Sequence, residues 1–309
     1  MGALPARWAR GPRLHKLASH GLLLNRLQEK ELDAGLKLLL ITVVMMPLLP
    51  NRGFGPGEAL NPYNIWIMVV LIAMISFIGY FAVRVVGTAK GILFTSLFAG
   101  LSSSTALTLH YAKASRSADE LSPQLAAGIL IACGTMFPRI LVYCTLLNQA
   151  LLPVLLGPVL ITVLFIYAPA LLLWYQHRDA LATEQPTLNK NPLDLSSALM
   201  FGALLAGILL LAELLTQWLG DKGVLILSVV SGLVDVDAIT LAIARLSLGS
   251  LDQDTAVIAI LLAALSNSLI KAAMALVFGT RGLGLRVAIP MTIAVGAGVL
   301  AAWLQAVVS

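Results

Sequence analysis

The sequence predicts an all-α, polytopic transmembrane bundle, and three observations carry that prediction. Of 309 residues, 59% are apolar and 11% are charged, whereas soluble domains carry about 25% charged residues. The apolar residues are gathered into runs of about 20 residues or more, enough to cross a hydrocarbon core of about 30 Å. A long stretch of the chain also resembles a second stretch further on, so the bundle is expected to be duplicated. The mean hydropathy of +0.92 agrees. A β-barrel is excluded, because the runs are unbroken and do not alternate.

The first element is basic. Residues 1–34 hold Arg7, Arg10, Arg13, Lys16, Arg26 and Lys30, with leucines near helical spacing. This reads either as a helix lying on anionic headgroups or as a solvated linker. The pI of about 9.4 therefore points to lipid, and no nucleic-acid partner is expected. Residues 35–309 are expected to form one transmembrane domain. Nine spans are read at about 35–50, 63–85, 91–112, 124–147, 151–174, 195–218, 223–245, 255–278 and 285–307. The stretch from Gln176 to Asp194 is the longest polar break. Trp66, Trp174, Trp218 and Trp303 fall near span ends and read as interfacial anchors. Counting Lys and Arg in the loops favours a cytoplasmic N-terminus.

The repeat is ungapped over its central part. "AKGILFTSLFAGLSSSTALTLHYAKAS" aligns with "DKGVLILSVVSGLVDVDAITLAIARLS" at the separation of Ser103 from Asp235, 132 residues. Gly100 then matches Gly232, Thr105 matches Asp237, Thr108 matches Thr240, Thr135 matches Asn267 and Arg139 matches Lys271. Four spans per copy (about 61–175 and 191–309, after one extra span) would return the chain to the same side. The copies are therefore expected to be parallel.

The charges concentrate where the copies match. A carboxylate in a bilayer needs a partner or a role. Asp235 and Asp237 fall mid-span, and Arg139 and Lys271 lie about one turn from mid-span. Arg139 is expected to reach an aspartate of the second copy, and Lys271 the other aspartate. Residues two apart on a helix differ by about 200°, so an intact helix would aim the two aspartates at different partners. A helix broken after Gly232 is the other arrangement, and the intact one is favoured. Pro138 should free the Gly134 carbonyl, either as a ligand or as a simple kink. The candidate site is Asp235, Asp237, Thr240, Asn267 and Lys271, faced by Ser103, Thr105, Thr108, Thr135 and Arg139.

"GLSSSTALTLHYAKAS", "GLVDVDAITLAIARLS" and "AALSNSLIKAAMALVFG" resemble the C-terminal membrane domain, of unknown function, of MgtC/SapB-family bacterial proteins. That family usually carries an N-terminal MgtC-like domain before this part. The resemblance implies a bacterial inner-membrane protein.

Two functions are expected to compete. One is a transporter or ion-coupled permease whose aspartates exchange a basic partner for a proton, cation or small solute. The other is a non-transporting module that senses an ion or binds a partner, with the buried charges as a lock. An enzyme is not expected, since aspartyl chemistry needs two facing carboxylates. No cofactor is expected, and the four scattered histidines show no ligand spacing. The sequence leaves open a metal, homo-oligomerisation and a membrane-protein partner.

Overall fold

A computed structural model describes residues 29–86, 92–177 and 195–308. The basic segment before residue 29, the Asn191–Pro192 motif and most of the polar break before Asp194 lie outside the described residues.

The described chain is helical. α1 (Glu29–Leu39) continues into a wide π-type turn, Leu40–Met45, and a 3-10 turn, Met46–Leu48. There follow α2 (Pro62–Val86), α3 (Ile92–Ser115), α4 (Ser122–Gly134), α5 (Met136–Leu147) and α6 (Leu152–Gln176). The second half holds α7 (Leu195–Leu219), α8 (Asp221–Val234), α9 (Val236–Leu246), α10 (Gln253–Phe278) and α11 (Arg281–Val308). Among the described residues seven stretches, α3 included, are by length and composition long and apolar enough to cross a membrane, and large apolar side chains such as Leu160, Leu164 and Ile289 cover the outside. This is a multi-pass membrane protein, and the outward leucines are its contact with lipid.

The expected intact helix through Asp235 is not what the chain forms. Asp235 is extended (φ −155°, ψ 136°) and separates α8 from α9. Ser103, the matched residue, is likewise extended inside α3 (φ −163°, ψ 96°). The bend in α3 is severe. A straight helix would hold residues 96 and 111 about 22 Å apart, yet Ser96 Oγ lies 3.4 Å from Tyr111 Oη. Given the reach of the two side chains and a rise of about 1.5 Å per residue, the arms close to roughly 65° or less. Gly128 of α4 touches both arms, through Ser96 and Tyr111. The first arm of α3 runs along α4 and the second runs back.

Contacts at the helix ends define two faces. At one, Ser115 Oγ accepts from the Thr280 amide at 3.0 Å and Arg116 donates to the Val277 carbonyl at 2.7 Å. Gln124 donates to the His177 carbonyl there as well. At the other face Asn148 Nδ2 donates to Ser247 Oγ at 2.9 Å, and Gln305 Nε2 to the Pro153 carbonyl at 3.3 Å. The second face also gathers Gly57 beside Glu213, Gly223 beside Leu215, and Arg245–Gly249 around the same cavity as Asn61. Both ends of the α8–α9 pair therefore sit at this face.

The pattern corrects the expected parallel copies. Gly57 meets Glu213 while Trp66 and Val69 meet Gly202, so α2 and α7 run antiparallel. Gly157 meets Gln305 while Thr162 meets Gly298, so α6 and α11 do too. In each copy one run, α3 or the α8–α9 pair, has both ends at the same face, so an odd number of runs passes from face to face. An odd number of crossings reverses the direction of the next copy.

One smaller expectation also changes. Trp66 is buried, and its indole donates to the Ile41 carbonyl at 2.8 Å, so it ties α2 to the segment after α1 and is no interfacial anchor. The fourth run is interrupted at Thr135, between α4 and α5, with Pro138 in the first turn of α5 where no backbone donor is required.

Candidate functional site

The two bends meet. A cavity of about 450 Å³ lies between them, lined by Ser102–Thr105 of one tip and Val234–Asp237 of the other. Arg139, Asn267 and Lys271 complete its polar wall, while Ile72, Met200, Phe201 and Leu204 from α2 and α7 form an apolar one.

A broken helix exposes carbonyls at the end of its first arm and amides at the start of its second. Each bend satisfies them locally. Ser103 Oγ accepts from the Ala106 amide at 3.2 Å. Asp235 accepts from the Asp237 and Ala238 amides at 3.3 and 3.4 Å. The matched residues thus both act as N-caps, as serine and aspartate commonly do. On the carbonyl side, Arg139 Nη1 donates to Leu101 at 3.1 Å and reaches Gly100 at 3.5 Å. Asn267 Nδ2 donates to Gly232 at 2.7 Å. Gly100 and Gly232 sit so close to their neighbours that a Cβ on Gly100 would fall 2.7 Å from Ala132 Cα, and one on Gly232 would strike Ser266 Oγ and the Ala263 carbonyl.

The bases cross between copies. Arg139 forms an ion pair with Asp237, and its Nη2 donates to Tyr143 Oη at 3.2 Å. Lys271 does not pair with Asp235, as the charge balance led us to expect. Its Nζ donates to Ser104 Oγ at 2.7 Å, in the other copy. Asp235 is occupied as a cap, and Lys271 follows the same crossing direction as its counterpart Arg139. Lys271 and Asp237 are 3% and 6% exposed, which places both charges out of bulk solvent. Asp237 Oδ1 and Asn267 Oδ1 are buried with no protein donor.

Of the ten candidate residues, Ser103, Thr105, Arg139, Asp235, Asp237, Asn267 and Lys271 line the cavity. Thr108, Thr135 and Thr240 do not. The Thr108 hydroxyl returns to the Ser104 carbonyl at 2.8 Å, and that of Thr135 to Ala132 at 2.7 Å. Thr240 is fully buried in α9. Sequence reasoning missed Ser104 and Tyr143. Tyr143 stands one helical turn after Arg139, and that spacing could have found it. The clasps at the two faces were also legible: the 132-residue offset pairs Ser115 with Ser247 and Asn148 with Thr280. Glu213 lies apart from the cavity, bonded to Gln217 Nε2 at 3.0 Å. Among the described residues no cluster of His, Cys, Asp and Glu could hold a metal ion.

Comparison with known proteins gives a family without a stated activity. No solved structure matches the chain. An uncharacterized protein of Aquifex aeolicus (strain VF5) is 34% identical over 198 residues, which is 64% of this chain and 86% of that protein. The model of the domain of unknown function DUF4010 matches residues 70–279, a range that contains both bends and every residue of the candidate site, and the chain belongs to that family.

Proposed function

We propose that this protein is a transporter or ion-coupled permease made of two inverted-topology repeats. The carrying observation is that two broken helices enter from opposite faces and their tips share one cavity with the buried charges Arg139, Asp237 and Lys271 in its wall. Irregular backbone at membrane depth is tolerated where it is enclosed by protein or lines a cavity. Transporters built from inverted repeats place substrate sites at such tips. Each copy holds three crossings and one re-entrant hairpin on this reading, with the segment Glu29–Leu48 as an additional crossing. A scaffold alone would gain nothing from a charged void at its centre, because desolvating those charges costs several kcal/mol each.

The topology sharpens the orientation. The face of Ser115 takes Lys113, Arg116, Arg281 and Arg286. The opposite face takes Arg52, Lys222 and Arg245. By the positive-inside rule the face of Ser115 is the cytoplasmic one on this reading. Placement in the bacterial inner membrane, and kinship with the MgtC/SapB proteins, rest on the segments that carry that resemblance. No reaction is assigned, since Asp235 is committed to backbone amides and Asp237 to Arg139.

The test is flux across proteoliposomes with Asp237→Asn. Loss of uptake in a folded variant supports transport. If Asp237→Asn and Asp235→Asn both leave ion-dependent flux unchanged, the reading falls. The Arg139–Asp237 pair, with its carbonyl and tyrosine contacts, favours one other reading, a static lock. There, replacing both partners together would preserve function.

A further inference from the structure

The two tips match in backbone but not in charge. Arg139 of the first copy meets the carboxylate of Asp237 in the second. By the same offset Lys271 should meet a carboxylate at position 105, and that residue is threonine. Lys271 is instead buried with a single hydroxyl, Ser104, as hydrogen-bond partner. Among the described residues no carboxylate is in ion-pair contact with it. An ammonium has three donors, and Ser104 takes one of them, while Asp235 and Asp237 of the same cavity act on it only through space. The same cavity is lined by Ser102, Ser103, Ser104 and Thr105, at the start of the second arm of α3. The space beside Thr105 is open cavity.

We infer that this cavity binds the carboxylate of a small organic solute, seated against Lys271 and the Ser102–Thr105 tip where the second copy carries Asp237. The solute completes the symmetric ion pair. An ammonium and hydroxyl donors suit a carboxylate, and charge-assisted bonds of this kind are about twice as strong as neutral ones. The site also offers Asp237 Oδ1 and Asn267 Oδ1, buried acceptors without a protein donor. A solute with an amino group beside its carboxylate would meet both ends of the cavity. This inference deepens the transport reading by naming its substrate class, and it is tested so that each can fail alone.

The measurement uses the full chain purified in detergent. The unfolding midpoint is followed with sodium acetate, propionate or alanine against sodium chloride at equal ionic strength. Carboxylates should stabilise saturably beyond chloride, and alanine should exceed propionate if the acceptors take its ammonium. Lys271→Met removes the cation and could simply fail to fold. Thr105→Asp is the decisive variant, because it supplies the missing carboxylate in the chain itself. It should raise the ligand-free midpoint and weaken carboxylate binding by about tenfold or more, the worth of one charge-assisted bond. No carboxylate response beyond chloride, or undiminished binding by Thr105→Asp, overturns the inference. Labelled acetate and alanine in proteoliposomes separate the two ideas. Binding without uptake keeps this site and discards transport. Uptake of ions that is indifferent to every carboxylate keeps transport and discards this site.

Discussion

At the scale of residues, Arg139 does the most. Its guanidinium holds a carboxylate, a tyrosine hydroxyl and carbonyls at the end of a helix arm. That combination needs a planar fork, so lysine is no substitute. Arg139→Met strands a buried carboxylate and should destabilise the protein by about 3–5 kcal/mol, read as a fall in the detergent unfolding midpoint. Arg139→Met together with Asp237→Leu removes both charges and should recover most of that loss. If the double variant is no more stable than the single one, the pair is not what holds the tips. Asp235 is a different case, a cap on two amides. Asp235→Asn should be near neutral and Asp235→Ala should cost about 1 kcal/mol, as N-cap losses do. The crossing of Arg139 to the second copy followed from charge balance in the sequence alone. The partner of Lys271 did not, because a serine hydroxyl carries no charge to count.

At the scale of elements, the sequence showed where the breaks would fall but not that they are breaks. Ser103 and Asp235 match by offset, and both sit three residues after a glycine. Hydropathy reads such a run as one span, since length and composition do not register a single extended residue. What determines the bend is the fit of the first arm against α4 or α10. Gly100 lies against Ala132 and Thr135, and Gly232 against Ala263 and Ser266. A methyl at either position meets backbone as well as a hydroxyl. Gly100→Ala and Gly232→Ala should each cost about 1–3 kcal/mol through overpacking. Gly296→Ala is the control, because nothing lies within 4 Å of its added Cβ. Equal midpoints for Gly232→Ala and Gly296→Ala would show that the arm has room to shift. The same fit explains Thr108 and Thr135. Both were read as facing the charges, but in the structure both hydroxyls return to the carbonyls of their own helices.

At the scale of the whole molecule, the duplication was legible and its direction was not. The sequence records matched residues, but direction depends on how many runs cross. Reading every apolar run as a crossing made the copies parallel. Turning one run per copy back makes them antiparallel, and three separate contacts then fall into place: Gly57 with Glu213, Thr162 with Gly298, and Ser115 with Thr280. The two topologies differ in where they put the ends of the α8–α9 pair, which yields a direct test. Asp221 and Gly249 would lie on opposite sides if that run crossed, and on the same side if it is re-entrant. Ser117, in the turn between α3 and α4, should lie on the side away from both. The native Cys133 and Cys144 are buried, so they should stay silent to an impermeant maleimide. In sealed right-side-out and inverted vesicles, Asp221→Cys and Gly249→Cys should label from one side together and Ser117→Cys from the other. On the orientation proposed above, Ser117→Cys labels from the cytoplasmic side. Labelling of Asp221→Cys and Gly249→Cys from opposite sides would restore the crossing helix and, with it, the parallel copies.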